Sequence, residues 1–276
     1  MPSTPDRPLA DLVAARFAMP SPLTPFAGPV IGPGGAADTR TMERMLDHRT
    51  CRRFSDRPVE GELLDLMLAA TMSTPSKSDL QQCSVIVVDD DKSRGAIADL
   101  IPSMPWVIES PRFLVFCGDS RRIRQLADRA GVEFANDHLD AFLNAASDAA
   151  MHLSTFIWAA ESVGLGTCPI SVLRNHIDEV SAILDLPDHV FPLAGMCVGW
   201  PERLGPLSPR LPTSVTVHHD RYDDQDIGGL IADYDRNRQD ARPKGDVWST
   251  EKAAMVARSE RTQLARFLRS KRFCLD

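Results

Sequence analysis

The sequence predicts an α+β or mixed α/β domain, from three observations. Short β-branched runs interleave with helical patterns. One long segment carries an apolar stripe too wide for a one-sided surface helix. No internal repeat divides the chain.

Residues 1–35 hold 8 of the 21 prolines and end in GPVIGPGG, which reads as an arm because proline removes a backbone donor and glycine favours turns. Within the arm, Leu9–Phe17 fits a short helix. A helix is expected over Thr39–Asp47, and another over Glu60–Met72, where Leu63, Leu64, Met67 and Leu68 recur at helical spacing just after Pro58. Cys83–Val88 and Arg112–Cys117 read as buried strands. Leu139–Gly164 is the long helix, with Leu139, Phe142, Leu143, Ala146, Ala149, Ala150, Leu153, Phe156, Ile157 and Ala160 on its apolar stripe, and with Gly164 and Gly166 as stops. A helix over Ile177–Leu184, strands over Pro192–Trp200 and Ser214–His218, and a helix over Thr250–Ser270 complete the pattern.

Composition is that of a globular protein, with 43% hydrophobic and 25% charged residues. A net charge of −7 argues against general nucleic-acid binding, which needs a dominant basic surface. No run approaches a membrane span, and the first residues carry two aspartates and no long apolar core, unlike a secretory signal. Six dispersed cysteines without a CxxC pair suggest reduced thiols in the cytoplasm, and no clustered ligands suggest a metal. Charge is uneven: residues 236–276 carry 11 Lys and Arg against 5 Asp and Glu, a basic extension of +6 on a body of −13.

Three segments carry chemistry. His48-Arg49-Thr50-Cys51-Arg52-Arg53-Phe54 gathers three guanidinium forks, an imidazole and a hydroxyl, a donor set suited to phosphate. Thr74–Gln82 is a loop dense in hydroxyl and amide groups, directly before a strand. Ala160–Ile170 contains Gly164-Leu165-Gly166, but this follows a helix and lacks a third glycine, so it is not a dinucleotide-binding fingerprint.

Taken in order, these segments resemble the nitroreductase family of flavin enzymes. That family reads Arg-Ser-x-Arg-x-Phe, Pro-Val, Ala-Ala…Pro-Ser-x-x-Asn-x-Gln and Ala-Ala-Glu-x-Leu-Gly-Leu-Gly. The counterparts are His48–Phe54, Pro58-Val59, Ala69-Ala70 with Pro75–Gln82, and Ala159–Gly166. Leu173-Arg174-Asn175-His176, Pro192–Pro201 and Pro209-Arg210-Leu211-Pro212 resemble the branch of oxygen-insensitive NADPH nitroreductases and NADPH flavin reductases. The resemblance implies an α+β fold with a central, mainly antiparallel sheet flanked by helices, in an intertwined homodimer. It divides the chain into an arm, 1–37, and an FMN-binding domain, 38–276.

The resemblance further implies FMN as cofactor, NADPH or NADH as electron donor, and a nitroaromatic or quinone acceptor reduced in a ping-pong cycle. Free-flavin reduction, or flavin binding without turnover, are the alternatives. By similarity His48, Arg49 and Thr50 hold the phosphate and ribityl chain, Arg210 adds a second phosphate arginine, and Arg52 approaches the pyrimidine edge. Ser76, Ser78 and Gln81 contact ribityl and ring, and Pro169, Ile170 and Ser171 line the ring through backbone. Arg238, Arg242 and Lys244 are the candidates for the 2′-phosphate of NADPH. No side chain is expected to act as a general acid.

Four positions depart from the family pattern. Ser171-Val172 stands where the branch has two glycines, Ser208 where it has lysine, and Met104 near where it has glutamine. Other candidates are weaker. His218-His219 on a strand would face opposite sides. Cys168 has no base near it in sequence, and Asp89-Asp90-Asp91 reads as a solvated strand end. Trp106, Phe113 and Phe134 read as core or pocket wall.

Overall fold

The computed structural model describes residues 9–17, 31–32, 35–36, 38–242 and 245–276. The chain runs α1 (Leu9–Phe17), β1 (Ile31–Gly32), β2 (Gly35–Ala36), α2 (Arg40–Asp47), α3 (Gly61–Met72), β3 (Cys83–Val87), α4 (Asp91–Leu100) and α5 (Trp106–Glu109). It continues through β4 (Arg112–Asp119), α6 (Arg121–Ala130), α7 (Leu139–Ser162), β5 (Gly166–Ile170), α8 (Ile177–Ile183) and β6 (Val190–Gly199). The last elements are α9 (Thr213–Thr216), α10 (Ile227–Ala241), α11 (Trp248–Val256) and α12 (Leu264–Ser270). Two compact units result, 1–49 with 206–259, and 50–205 with 260–276.

The larger unit is built on an antiparallel sheet of order β3-β4-β6-β5. Residues 113–117 of β4 are fully buried because both faces of the sheet are covered. Alternation sends Phe113, Val115 and Cys117 to a cluster with Ile97, Val107, Ile170 and Leu173. Leu114 and Phe116 join a second cluster with Leu64 and Met67 of α3 and Ala149, Phe156 and Ala160 of α7. Each fully buried side chain of this size contributes about 1.5–3 kcal/mol. Gly118 lies opposite Phe191 across the β4–β6 pair, and an added Cβ there would sit 2.3 Å from the ring, so the ring fills the space a side chain would take. Phe191, Phe142 and Phe273 then form an aromatic cluster that docks the C-terminal segment.

The expected long helix is present, but its stripe is only partly core. Ala141, Ala145, Ala149, Phe156 and Ala160 are buried, while Leu139 and Leu143 are about half exposed. β5 was not expected; its Gly-Thr-Cys-Pro-Ile is short and interrupted by a proline. Its proline is tolerated because β5 is the edge strand, where a missing N–H breaks no inner ladder.

In the smaller unit α1 packs on α2, and α10 packs on α9 and α11. Buried Tyr234 of α10 meets Trp248 edge to face, and Asp235 accepts from Ser249. Ser214–His218 is not the expected strand. After Pro212, Val215 N–H bonds the Pro212 carbonyl and Val217 N–H bonds the Thr213 carbonyl, so this β-branched run closes on itself as a helical turn. His218 is therefore not strand-borne, and its ring packs on Tyr222. The single helix expected over 250–270 is two, α11 and α12, separated by Arg261 at φ 60°. Among the described residues no helix is long and apolar enough to cross a membrane.

Candidate functional site

In the smaller unit, α2 ends at Asp47 and the chain leaves it through His48 and Arg49. Arg49 donates to Asp47 at 2.7 Å, and its buried Nε has no hydrogen-bond partner among the described residues. An unsatisfied guanidinium nitrogen costs free energy that an anionic oxygen would recover. Arg210 follows buried Pro209; its N–H donates to the Arg16 carbonyl at 2.7 Å while its side chain is exposed. The Pro209 carbonyl accepts from Tyr234 Oη at 3.0 Å and from Arg238 at 3.2 Å. Arg238 also donates to the Tyr234 hydroxyl, so part of its donor set is used within the unit. Arg238 and Arg242 line a cavity of about 170 Å³ with Gly245, Asp246 and Glu251. Lys244 lies outside the described residues.

In the larger unit, the stretch after Thr50 runs beside β5 and the end of β6. Cys51 N–H donates to the Thr167 carbonyl at 2.8 Å, Ser55 N–H to Trp200 at 2.8 Å, and Glu202 N–H to Arg53 at 3.1 Å. Gly166 makes this approach possible, since a Cβ there would sit 2.6 Å from Cys51 Cβ. Arg52, between these anchors, is exposed, with its guanidinium carbon 5.6 Å from the Trp106 ring centre. Trp106 is fixed in turn by α5, where Arg94 donates to the Val107 and Ser110 carbonyls.

The polar loop is backbone-strained. Ser78, Asp79 and Gln81 have φ of 51°, 57° and 51°, the left-handed region that non-glycine residues seldom occupy. Ser76 Oγ accepts from Gln81 N–H at 3.1 Å. The residue that holds the loop is Asp148, fully buried on α7: one carboxylate oxygen accepts from Lys77 N–H at 3.2 Å, the other from Gln82 N–H at 2.9 Å. Sequence reasoning missed it, because a lone aspartate within an apolar helical stripe looks like a surface residue. The available signal was its phase: it directly precedes Ala149 on the buried face.

Pro169 and Ile170 close β5, and Ser171 opens a 3-10 turn that runs to His176. Val172 and Met104, two of the departures from the family pattern, are half-buried and pack against the first core cluster. Burial pushes the Cys168 thiol up to about 11, with Arg52 opposing the rise, so Cys168 is protonated at neutral pH and unsuited to nucleophilic attack. Asp90 caps α4 by accepting from Ser93, and Asp89 pairs with Arg112. Phe113 is core, and Phe134 lies under Arg124.

An antiparallel sheet covered on both faces defines an α+β protein. The chain belongs to the nitroreductase family. The Nitroreductase family model matches residues 45–200, and that of the Nitroreductase family C-terminal domain matches 208–276. FMN reductase (NADPH) of Bacillus subtilis is 32% identical over 84% of this chain and 98% of its own length. The oxygen-insensitive NADPH nitroreductase of Salmonella typhimurium is 34% identical over 83% and 95%. The NADPH:FMN oxidoreductase from Vibrio harveyi, solved in complex with NAD+, superposes with a TM-score of 0.77 at 31% identity, covering 84% of this chain and 97% of that one.

Replacing Asp148 by Asn leaves one acceptor for two N–H groups. The expected cost is about 1–3 kcal/mol, read as a lower thermal midpoint and faster tryptic cleavage after Lys77. An unchanged midpoint and cleavage rate would show that the clamp does not hold the loop.

Proposed function

We propose that this chain is an FMN-dependent oxidoreductase that takes electrons from NADPH, or less readily NADH, and passes them to nitroaromatic or quinone acceptors in alternating half-reactions. The observation that supports this most strongly is similarity over more than four fifths of the chain to relatives named for FMN and NADPH, in a chain whose Arg49 keeps a buried guanidinium nitrogen without a partner among the described residues. When bound, FMN supplies the hydride chemistry at its ring. The protein's own tasks are binding, orientation and charge.

His48, Arg49 and Arg210 bind the phosphate, and Thr50 the adjoining ribityl chain. Arg52 supplies positive charge at the pyrimidine edge, where it favours the reduced, anionic ring. Its place beside Trp106 restrains it, which keeps that charge from drifting into solvent. Ser76, Ser78 and Gln81 offer hydroxyl and amide groups to the ribityl chain and ring. The left-handed backbone at Ser78, Asp79 and Gln81 gives that loop a defined shape. Pro169, Ile170 and Ser171 present backbone at the ring's far side. Arg238 and Arg242 serve the 2′-phosphate of the coenzyme, and Lys244 is proposed with them. The half-exposed Leu139 and Leu143, four residues apart on one face of α7, fit burial in a homodimer. Five buried free cysteines suit the cytoplasm, where thiols stay reduced. Reduction of free flavin is the rival reading, which the name of the Bacillus subtilis relative favours.

Purified protein is expected to be yellow, to release FMN on denaturation and to bleach anaerobically with NADPH. A colourless protein that cannot be reconstituted with FMN would overturn the reading. Arg49→Ala is expected to weaken FMN binding by about 10- to 100-fold, the loss of a charge-assisted fork. Arg52→Ala keeps more of its flavin but lowers the flavin potential. Normal FMN occupancy and normal reduction rate in both variants would remove these two assignments.

A further inference from the structure

Arg16 is the penultimate residue of α1, only 4% exposed. Its guanidinium donates in three directions: Nε to the Leu46 carbonyl at 2.7 Å, Nη2 to the His48 carbonyl at 2.6 Å and Nη1 to the Ser208 carbonyl at 2.9 Å. Its own carbonyl accepts the Arg210 N–H at 2.7 Å. One side chain with its backbone thus ties the segment that delivers His48 and Arg49 to the segment that delivers Arg210. Leu12 and Val13, buried on the same helix, fix α1 in place. The Tyr234 hydroxyl and Arg238 hold the intervening Pro209 carbonyl. All of these residues belong to one compact unit.

We propose that Arg16 is a positioning residue for the FMN phosphate. It sets the spacing of His48, Arg49 and Arg210, and this rests on the phosphate reading of those residues given above. The geometry asks for arginine: three carbonyls lie around one planar fork, and a lysine ammonium is a point charge that cannot span them. The effect is preorganisation. Cationic side chains repel one another when brought together without an anion, and a backbone held from beneath keeps them in place before phosphate arrives. The device belongs to the N-terminal arm, since α1 lies ahead of residue 45, where the family match begins. The arm is thereby part of cofactor retention.

Riboflavin, which has the ring and ribityl chain but no phosphate, separates positioning from general stability. Apo protein is titrated with FMN and with riboflavin, following flavin fluorescence, in the wild type and in full-length Arg16→Lys. FMN affinity is expected to fall about tenfold or more, with riboflavin affinity changed less than about twofold, because only phosphate contacts depend on the spacing. Equal weakening of both flavins, or an unchanged ratio, overturns the proposal. If the wild type itself binds FMN no more tightly than riboflavin, the phosphate reading fails instead. Should Arg16→Lys not fold, Tyr234→Phe decides, since it removes the hydroxyl that bonds the Pro209 carbonyl and accepts from Arg238, and leaves His48, Arg49 and Arg210 unchanged. A drop of roughly threefold in the FMN-to-riboflavin ratio supports positioning from beneath, and an unchanged ratio overturns it.

Discussion

A carbonyl or N–H that leaves a helix or strand for a buried turn still needs a partner. In this chain buried or half-buried ions supply it at three turns. Arg16 satisfies the carbonyls of Leu46, His48 and Ser208. Asp148 satisfies the N–H groups of Lys77 and Gln82. Arg94 satisfies the carbonyls of Val107 and Ser110. Each bond to such a group is worth more than a neutral one, and each orphan left by its loss costs about 1–3 kcal/mol. The turns of the fold therefore have a defined shape although no ladder runs through them.

The consequence reaches function because these turns carry the residues proposed to meet the ligand. Arg16 lies behind His48, Arg49 and Arg210, Asp148 behind Ser76, Ser78 and Gln81, and Arg94 behind the segment whose Trp106 flanks Arg52. Burial opposes the charge on Arg94. Ser208, which stands where the family pattern has lysine, contributes no charge of its own, yet its carbonyl rests on a buried guanidinium.

Elements that satisfy a simple period were legible in the sequence. α3 and α7 bury faces that repeat about every 3.6 residues, and β3, β4 and β6 are short runs of mostly buried apolar residues. α4 and α6 were missed because they are polar surface helices, with Ile97 and Arg124 as their buried residues. α10 was missed because Gly228 and Gly229 break the helical pattern. Ser214–His218 misled because β-branched residues read as strand, whereas Pro212 starts a helical turn there. The site's donor types were also legible, because arginines, hydroxyls and amides cluster locally. Arg16 and Asp148 were not. Arg16 reaches across 192 residues to Ser208, and Asp148 across 66 to Gln82, and nothing local separates them from ordinary helix charges.

At the centre of the account is a phosphate held by arginines whose spacing is fixed from beneath. The ³¹P resonance of bound FMN reports this directly. A phosphate monoester in water takes up its second proton at about pH 6, but between fixed guanidinium groups the dianion is favoured. The account predicts a bound resonance that does not move between about pH 5 and 8. A bound resonance that titrates with a midpoint near 6, as free FMN does, would contradict it.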